Sequence, residues 1–389
     1  MKSGNSLLSS YGTTIFEVMS RLAVEHGAIN LGQGFPDDRG PDPVLEEASK
    51  FLFDPPNQYP PMLGVPELRQ AVAEHNKRFY DIDVDWQKNT MVSTGATEGL
   101  AACFFGLIEP GDEVVVIEPL YDCYLPIIRR AGATVKSVKF VPPEWKLDFD
   151  ALESAFSEKT KLILINDPQN PASKVYSREE LEFIAGLVQK YDAYAVCDEV
   201  YEHMTFDERK HIPLMTFDGM KDRCVRIGSA GKTFSLTGWK VGYLTGPEHL
   251  LQPIIKAHQF LVFTTAPNLQ RAVAFGLRQD DSYFEGLQTD MQRRRDRLSA
   301  GIETLGLPIA TCAGSYFLFV DVSGHFREGE SDVEFCQRLV TEGGIASVPV
   351  SGFYQDKDTA PKNFIRFCFA KQDAVIDAAL EKLTNYLGS

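Results

Sequence analysis

The sequence predicts an α/β protein built on a largely parallel sheet, followed by a smaller α+β part. Three observations carry this. From about residue 90, short runs that are apolar on both faces alternate with longer helical patterns, as buried parallel strands covered by helices do. From Ser282 the order changes, with a long charged helix followed by strands and helices of a different rhythm. At 389 residues the chain also exceeds what one small core organises, so two domains are expected.

The strand candidates are EVVVI (Glu113–Ile117), KLILI (Lys161–Ile165), AYAVC (Ala193–Cys197), CVRI (Cys224–Ile227) and VGYLT (Val241–Thr245). SREELEFIAGLVQKYD, from Ser177, opens with the Ser-x-x-Glu pattern that caps a helix. In the last third, QRRRDRLSAGIETL falls in a helix spanning about 282–305. The strand YFLFVDVS, a helix near DVEFCQRLVTEG, a strand near 363–369 and a final helix from Gln372 follow. The basic run Arg293–Arg297 reads as a solvated helix face.

With 44% hydrophobic, 11% aromatic and 24% charged residues, the composition is that of a folded chain. The net charge of −15 disfavours nucleic acid or an anionic membrane as the main partner. Seven scattered cysteines contain no C-x-x-C pair, so neither a disulfide framework nor a zinc site is expected. No long apolar h-region opens the chain and no run approaches a membrane span, so a cytoplasmic protein is expected.

In open α/β sheets ligands sit beyond the carboxyl ends of the strands, so the residues after each apolar run deserve scrutiny. Asp198 follows AVC, where a buried carboxylate needs a partner. Asn170 lies between Pro168 and Pro171 in DPQNPASK, which constrains its backbone. Gly95, Ala96 and Thr97, in STGATEGL, open a helix whose N-terminal amides favour a phosphate. Lys232 sits among small and hydroxylated residues in SAGKTFSLTGWKVGY. Each alone is an ordinary cap, turn or loop. Together they suit one ligand. A buried lysine becomes nucleophilic toward an aldehyde, an aspartate can hold the protonated nitrogen of a pyridine ring, and the Ala96 and Thr97 amides, Ser229 and Lys240 can take a phosphate. These are the parts of a pyridoxal 5'-phosphate (PLP) site.

The order Gly-Ala-Thr, Asn170-Pro171, Asp198-x-x-Tyr201, Ser229-x-x-Lys232, Thr237-Gly238-Trp239-Lys240 and Arg366 resembles the fold-type I PLP aminotransferases of class I/II, over nearly the whole chain. The resemblance implies a large domain, residues 41–285, with a mostly parallel seven-stranded sheet. It implies a small α+β domain from residues 1–40 and 286–389. Lys232 would form the imine with PLP and then act as general acid/base. Asp198 would pair with the pyridine nitrogen, and Asn170 and Tyr201 with the ring 3-oxygen. Tyr121 would stack on the ring, while Arg366 and the backbone at Gly34 would hold the substrate carboxylate. Tyr59 would reach the phosphate of a neighbouring subunit in a homodimer.

AINLGQGFPD, NQYPPMLGVPELRQAVA, IEPLYDCY, GSYFLFVDVS and IRFCFAK resemble the branch of kynurenine aminotransferases, glutamine transaminase K, cysteine-S-conjugate β-lyases and bacterial methionine aminotransferases. Lys240 stands where many aminotransferases have arginine, as is common in this branch. Asp167, Gln169 and Ala172-Ser173 depart from its usual asparagine motif. Phe16 replaces a tryptophan of some relatives and Thr264, after Phe263, a histidine; Phe16 and Phe263 are expected to line the side-chain pocket. The resemblance implies transamination from methionine, glutamine, an aromatic or a kynurenine-like donor to a 2-oxo acid. β-Elimination from cysteine conjugates is the alternative, and a regulator that binds the cofactor without turnover is a third reading.

Overall fold

The computed structural model describes residues 2–53 and 57–388. All five expected strands form, at Glu113–Glu118, Thr160–Asn166, Tyr194–Asp198, Cys224–Ser229 and Gly242–Thr245. They join one sheet in the order Thr90–Ser93, Gly242–Thr245, Cys224–Ser229, Tyr194–Asp198, Thr160–Asn166, Glu113–Glu118, Thr134–Val141, Lys146–Leu147. The five strands from Cys224–Ser229 to Thr134–Val141 run parallel, and Gly242–Thr245 is antiparallel to both its neighbours.

The sheet therefore has eight strands rather than the seven expected. The addition, Lys146–Leu147, is a two-residue edge strand antiparallel to Thr134–Val141. Its sequence has no apolar run to announce it. Tertiary packing holds it: the preceding Trp145 is fully buried, lies edge-on to Phe319 at 5.1 Å and donates its indole N–H to the Thr311 carbonyl at 3.0 Å.

The helix Arg178–Lys190 starts with the predicted capping box, Ser177 and Glu180 each bonding the other's backbone N–H. The long helix runs Asp281–Thr304. Its basic run is not simply a solvated face. Arg293 and Arg297 do pair at the surface, with Asp373 and Asp377. Arg294 instead turns inward, is only 8% exposed, and grips both oxygens of Asp38 at 3.0 and 3.2 Å.

That grip belongs to a larger attachment of the N-terminal segment. Ile29–Asn30 pairs in parallel with Ile345–Ala346, the Cys368 N–H donates to the Leu31 carbonyl at 2.7 Å, and Lys371 holds Asp37 at 2.8 Å. Met19, Leu31, Leu318 and Ile376 share one apolar cluster with Tyr201, so this unit packs directly against the end of the Tyr194–Asp198 strand. Phe364–Cys368 is the central strand of a three-stranded antiparallel sheet, with Phe317–Asp321 and Val348–Pro349 on its flanks. Arg366 is thereby placed opposite Phe319 and Val348, buried beside Gly32 and Gly34.

Candidate active site

The carboxyl ends of the large sheet open on one cavity of about 590 Å³. Every residue proposed from the sequence for the site lines it except Tyr59 and Phe263. Those two lie together at the surface, their rings 5.5 Å apart and edge-on, with Tyr59 83% exposed. Phe263 therefore does not line the cavity of its own chain.

Asp198 ends its strand with the side chain buried. Its Oδ2 accepts from the Tyr124 hydroxyl at 2.6 Å, whereas Oδ1 has no hydrogen-bond partner among the described residues. Burial pushes the carboxyl up to about 6, against the opposing pull of the Tyr124 hydrogen bond. A carboxylate with one oxygen anchored and the other unsatisfied is built to receive an N–H from the cavity.

Lys232 lies on the short helix Ala230–Thr233 that follows the Cys224–Ser229 strand. Its Nζ donates to the Tyr316 hydroxyl at 3.0 Å and sits 5.5 Å from the centre of the Tyr201 ring. Burial lowers the amine to about 8, with Asp198 opposing the shift, so an appreciable fraction is the free base near neutral pH.

The anion end is built from the helix Gly95–Leu107. Gly95 has φ +76°, and a Cβ there would lie 3.1–3.2 Å from Cε and Nζ of Lys240. The lysine amine thus hangs over the first turn, where unpaired backbone N–H groups already favour an anion. Gly242 is equally constrained: a Cβ would come 2.8 Å from the Ala96 nitrogen.

At the opposite end Arg366 is 1% exposed and lies 4.0 Å over the Phe317 ring and 4.8 Å from that of Phe353. Nη1 donates to Asn170 Oδ1 at 3.1 Å and Nη2 to the Gly32 carbonyl at 2.9 Å, while Nε has no partner among the described residues. Burial pushes the guanidinium down to about 10, which leaves it charged at neutral pH. Among the described residues no acidic side chain pairs with it, so a carboxylate from solution is its natural counter-ion. A Cβ on Gly34 would meet the Phe317 ring at 2.9 Å, so that close approach to Arg366 requires glycine.

Tyr124, Asn166 and Tyr316 were not anticipated from the sequence. Asn166 links two sides of the cavity: its Oδ1 accepts from the Asn170 N–H at 2.7 Å and its Nδ2 donates to the Asp198 carbonyl at 2.8 Å. Its place as the last residue of the LILIN run was an available signal. Tyr124 and Tyr316 carried none, since their partners come from distant strands.

Asp167, the unusual residue of the asparagine motif, also has a partner. It is buried, and its Oδ2 lies 3.2 Å from Nδ1 of buried His211, whose Nε2 is 3.1 Å from Glu199. Burial alone would lower the imidazole, but Glu199 and Asp167 overcome it and raise it from 6.5 to about 9. A raised folded value stabilises fully below the unfolded one and is lost as pH rises through the folded one. Melting temperature should therefore fall between pH 7 and 10, by an amount equivalent to roughly 2–3 kcal/mol. His211→Gln should flatten that limb, and an unchanged slope would refute the pairing.

A lysine between a partly anchored aspartate and a helix-borne anion site, on a largely parallel α/β sheet, defines a PLP enzyme of fold type I. The orphaned Asp198 oxygen and the glycine-lined anion end both fit that cofactor. The description "Aminotransferase class I and II" matches residues 26–383, and the chain belongs to that family of amino-group-transferring enzymes. It is similar to the structure of N-succinyldiaminopimelate aminotransferase from Mycobacterium tuberculosis, with 39% identity, coverage of 98% of this chain and 100% of that one, and a TM-score of 0.94. It is similar to a methionine aminotransferase structure from Escherichia coli, with 37% identity, 99% and 100% coverage and a TM-score of 0.95. Human kynurenine--oxoglutarate transaminase 3 is 39% identical over 93% of this chain and 86% of that protein.

Proposed function

We propose that this aminotransferase takes the amino group of an L-amino acid with an uncharged side chain, of the methionine, glutamine, aromatic or kynurenine kind, and passes it to a 2-oxo acid. One observation carries the donor class. The cations lining the cavity, among the described residues, are Lys232, Lys240 and Arg366, and each has a task already. No cation is left for a second carboxylate, and the remaining charges on the wall, Glu17 and Asp122, would repel one.

Bound PLP supplies the electron sink that acidifies the substrate Cα–H. The protein does the rest. Asp198 Oδ1 accepts the pyridine N–H, with Tyr124 holding the other oxygen in place. Tyr201 and Asn170 serve the ring 3-oxygen, and Tyr121 covers its face. Ser229, Lys240 and the amides of Gly95, Ala96 and Thr97 hold the phosphate. Arg366 fixes the substrate carboxylate, with Gly34 backing it and Phe16 beside the side chain. Lys232 would be the amine that holds the cofactor through its aldehyde carbon. The same Nζ, when free, would take the substrate Cα proton and give it back as general acid/base.

The working unit is a homodimer in the cytoplasm, each chain divided at residues 41–285 against 1–40 with 286–389. Exposed Phe260 (82%), Leu261, Val262 and Phe263 beside Tyr59 support a covered apolar surface, through which Tyr59 and Phe263 reach the neighbouring cavity. Among the described residues no helix is long and apolar enough to cross a membrane.

The test is the absorbance spectrum of PLP-loaded protein. Methionine without a 2-oxo acid should convert the visible band to a stable pyridoxamine spectrum, and a 2-oxo acid should restore it. Glutamate should convert it far more slowly than glutamine. Recovery of the band unaided, with pyruvate released from a cysteine conjugate, would show elimination instead. Equal rates for glutamate and glutamine would refute the donor class.

A further inference from the structure

Tyr316 is fully buried between the catalytic lysine and the N-terminal segment. Its hydroxyl accepts from Lys232 Nζ at 3.0 Å and donates to the Gly34 carbonyl at 2.7 Å. The ring is fixed edge-on to Tyr201, with centroids 5.0 Å apart. A phenol has a single hydrogen to donate. Committed to Gly34, that hydrogen cannot be donated to the lysine, so the amine is held through one of its own N–H bonds. Its lone pair is left for the substrate proton. Were the Gly34 carbonyl withdrawn, the same hydrogen would be free to turn to Nζ and occupy the lone pair.

The Gly34 segment is also the segment at the carboxylate clamp. The Gly32 carbonyl accepts from Arg366 Nη2, and a Cβ on Gly34 would be 3.8 Å from that same nitrogen. The acceptor that orients Tyr316 and the backbone that closes on Arg366 are therefore two residues apart on one strand of chain. We propose that Tyr316 is a positioning residue that ties the seating of the Gly34 segment at the carboxylate clamp to the availability of the Lys232 amine as a base. No new bond or co-reactant is involved: the proton leaves substrate Cα for Nζ, whose lone pair stays open while the Tyr316 hydrogen is on Gly34. The inference rests on Lys232 being the imine-forming lysine.

Tyr316→Phe keeps the ring and removes only the hydroxyl, and two readouts test it. In the cofactor-free protein, trace acylation of Lys232 is followed against pH by peptide mapping. The wild type should label with a midpoint near that of a buried amine at about 8. The variant, lacking an acceptor for the ammonium, should label at a midpoint at least about half a unit lower. In the PLP-loaded enzyme, borohydride should still trap the cofactor on Lys232 and donor KM should stay within about threefold, while kcat should fall at least about tenfold because the amine, though more readily deprotonated, is no longer held in place by the hydroxyl. An unchanged labelling midpoint with unchanged kcat would overturn the proposal. So would a raised KM at constant kcat, because Tyr316 would then serve the clamp alone. Trapping of wild-type cofactor on a different lysine would overturn the underlying reading of Lys232 instead, and mapping of the adduct separates the two failures.

Discussion

Lys232→Ala is expected to yield a folded chain that traps no PLP with borohydride and transaminates at least about 10⁴-fold more slowly, the upper range for loss of a general acid/base. The competing lysine is Lys240, whose amine lies at the anion end against Gly95 and has left-handed backbone at φ +54°. Only Lys232 stands beside both Tyr201 and the charge of Asp198, which is where the reacting carbon must lie if Asp198 holds the ring nitrogen. The fold should not suffer. Among the described residues the Lys232 side chain makes one hydrogen bond, to Tyr316, and its removal takes a cation out of a poorly solvated site. Alanine is also at ease in the helical turn 230–233. Mass spectrometry of the reduced protein and a thermal melt decide the matter. A reducible adduct that persists on another lysine, or a rate within tenfold of wild type, would defeat the assignment.

Much of the large sheet was legible because its central parallel strands are buried on both faces and written as mostly apolar runs, which the partly exposed parallel strand Thr134–Val141, with Lys136, Ser137 and Lys139, is not. The strand limits shifted by one or two residues, since burial does not stop where the aliphatic residues do: Ser229 and Asn166 complete their strands as polar buried residues. The rule that ligands lie beyond strand ends then led to Asp198, Asn170 and Lys232 without reference to contacts. The edge strand at Lys146–Leu147 escaped because Trp145 holds it from outside the sheet.

The site was less legible where function depends on partners distant in sequence. Tyr124 serves Asp198 across 74 positions and Tyr316 serves Lys232 across 84, and neither spacing leaves a periodic trace. Asp167 read only as a departure from a family pattern, and its meaning emerges once His211 and Glu199 are seen to face one another around it. The inward turn of Arg294 is a similar case: its neighbours Arg293 and Arg297 are surface residues, and helical rotation alone separates them. Tyr59 and Phe263 mark the remaining boundary: within this chain they lie together at the surface, away from the cavity that the other expected site residues line.

Arg366→Ala should reduce donor kcat/KM by about 30- to 5,000-fold, the equivalent of roughly 2–5 kcal/mol for a desolvated charge-assisted pair. The loss should fall mainly on KM, since the carboxylate is held alike before and during proton transfer. Two features place the residue near the upper part of that range. The guanidinium is sealed between Phe317 and Phe353, where water screens little, and among the described residues it has no counter-ion. Its removal also leaves Asn170 Oδ1 and the Gly32 carbonyl without their donor, which loosens the segment on which Gly34 rides. Arg366→Lys separates these contributions. It keeps a charge but not the planar fork, and should recover only part of the loss because one ammonium cannot serve a carboxylate bidentately while holding both Asn170 and Gly32. Cofactor capture by Lys232 should persist in both variants, at the far side of Asn170. A donor KM unchanged in Arg366→Ala, with the cofactor adduct intact, would remove Arg366 from the substrate site and require another anchor for the α-carboxylate.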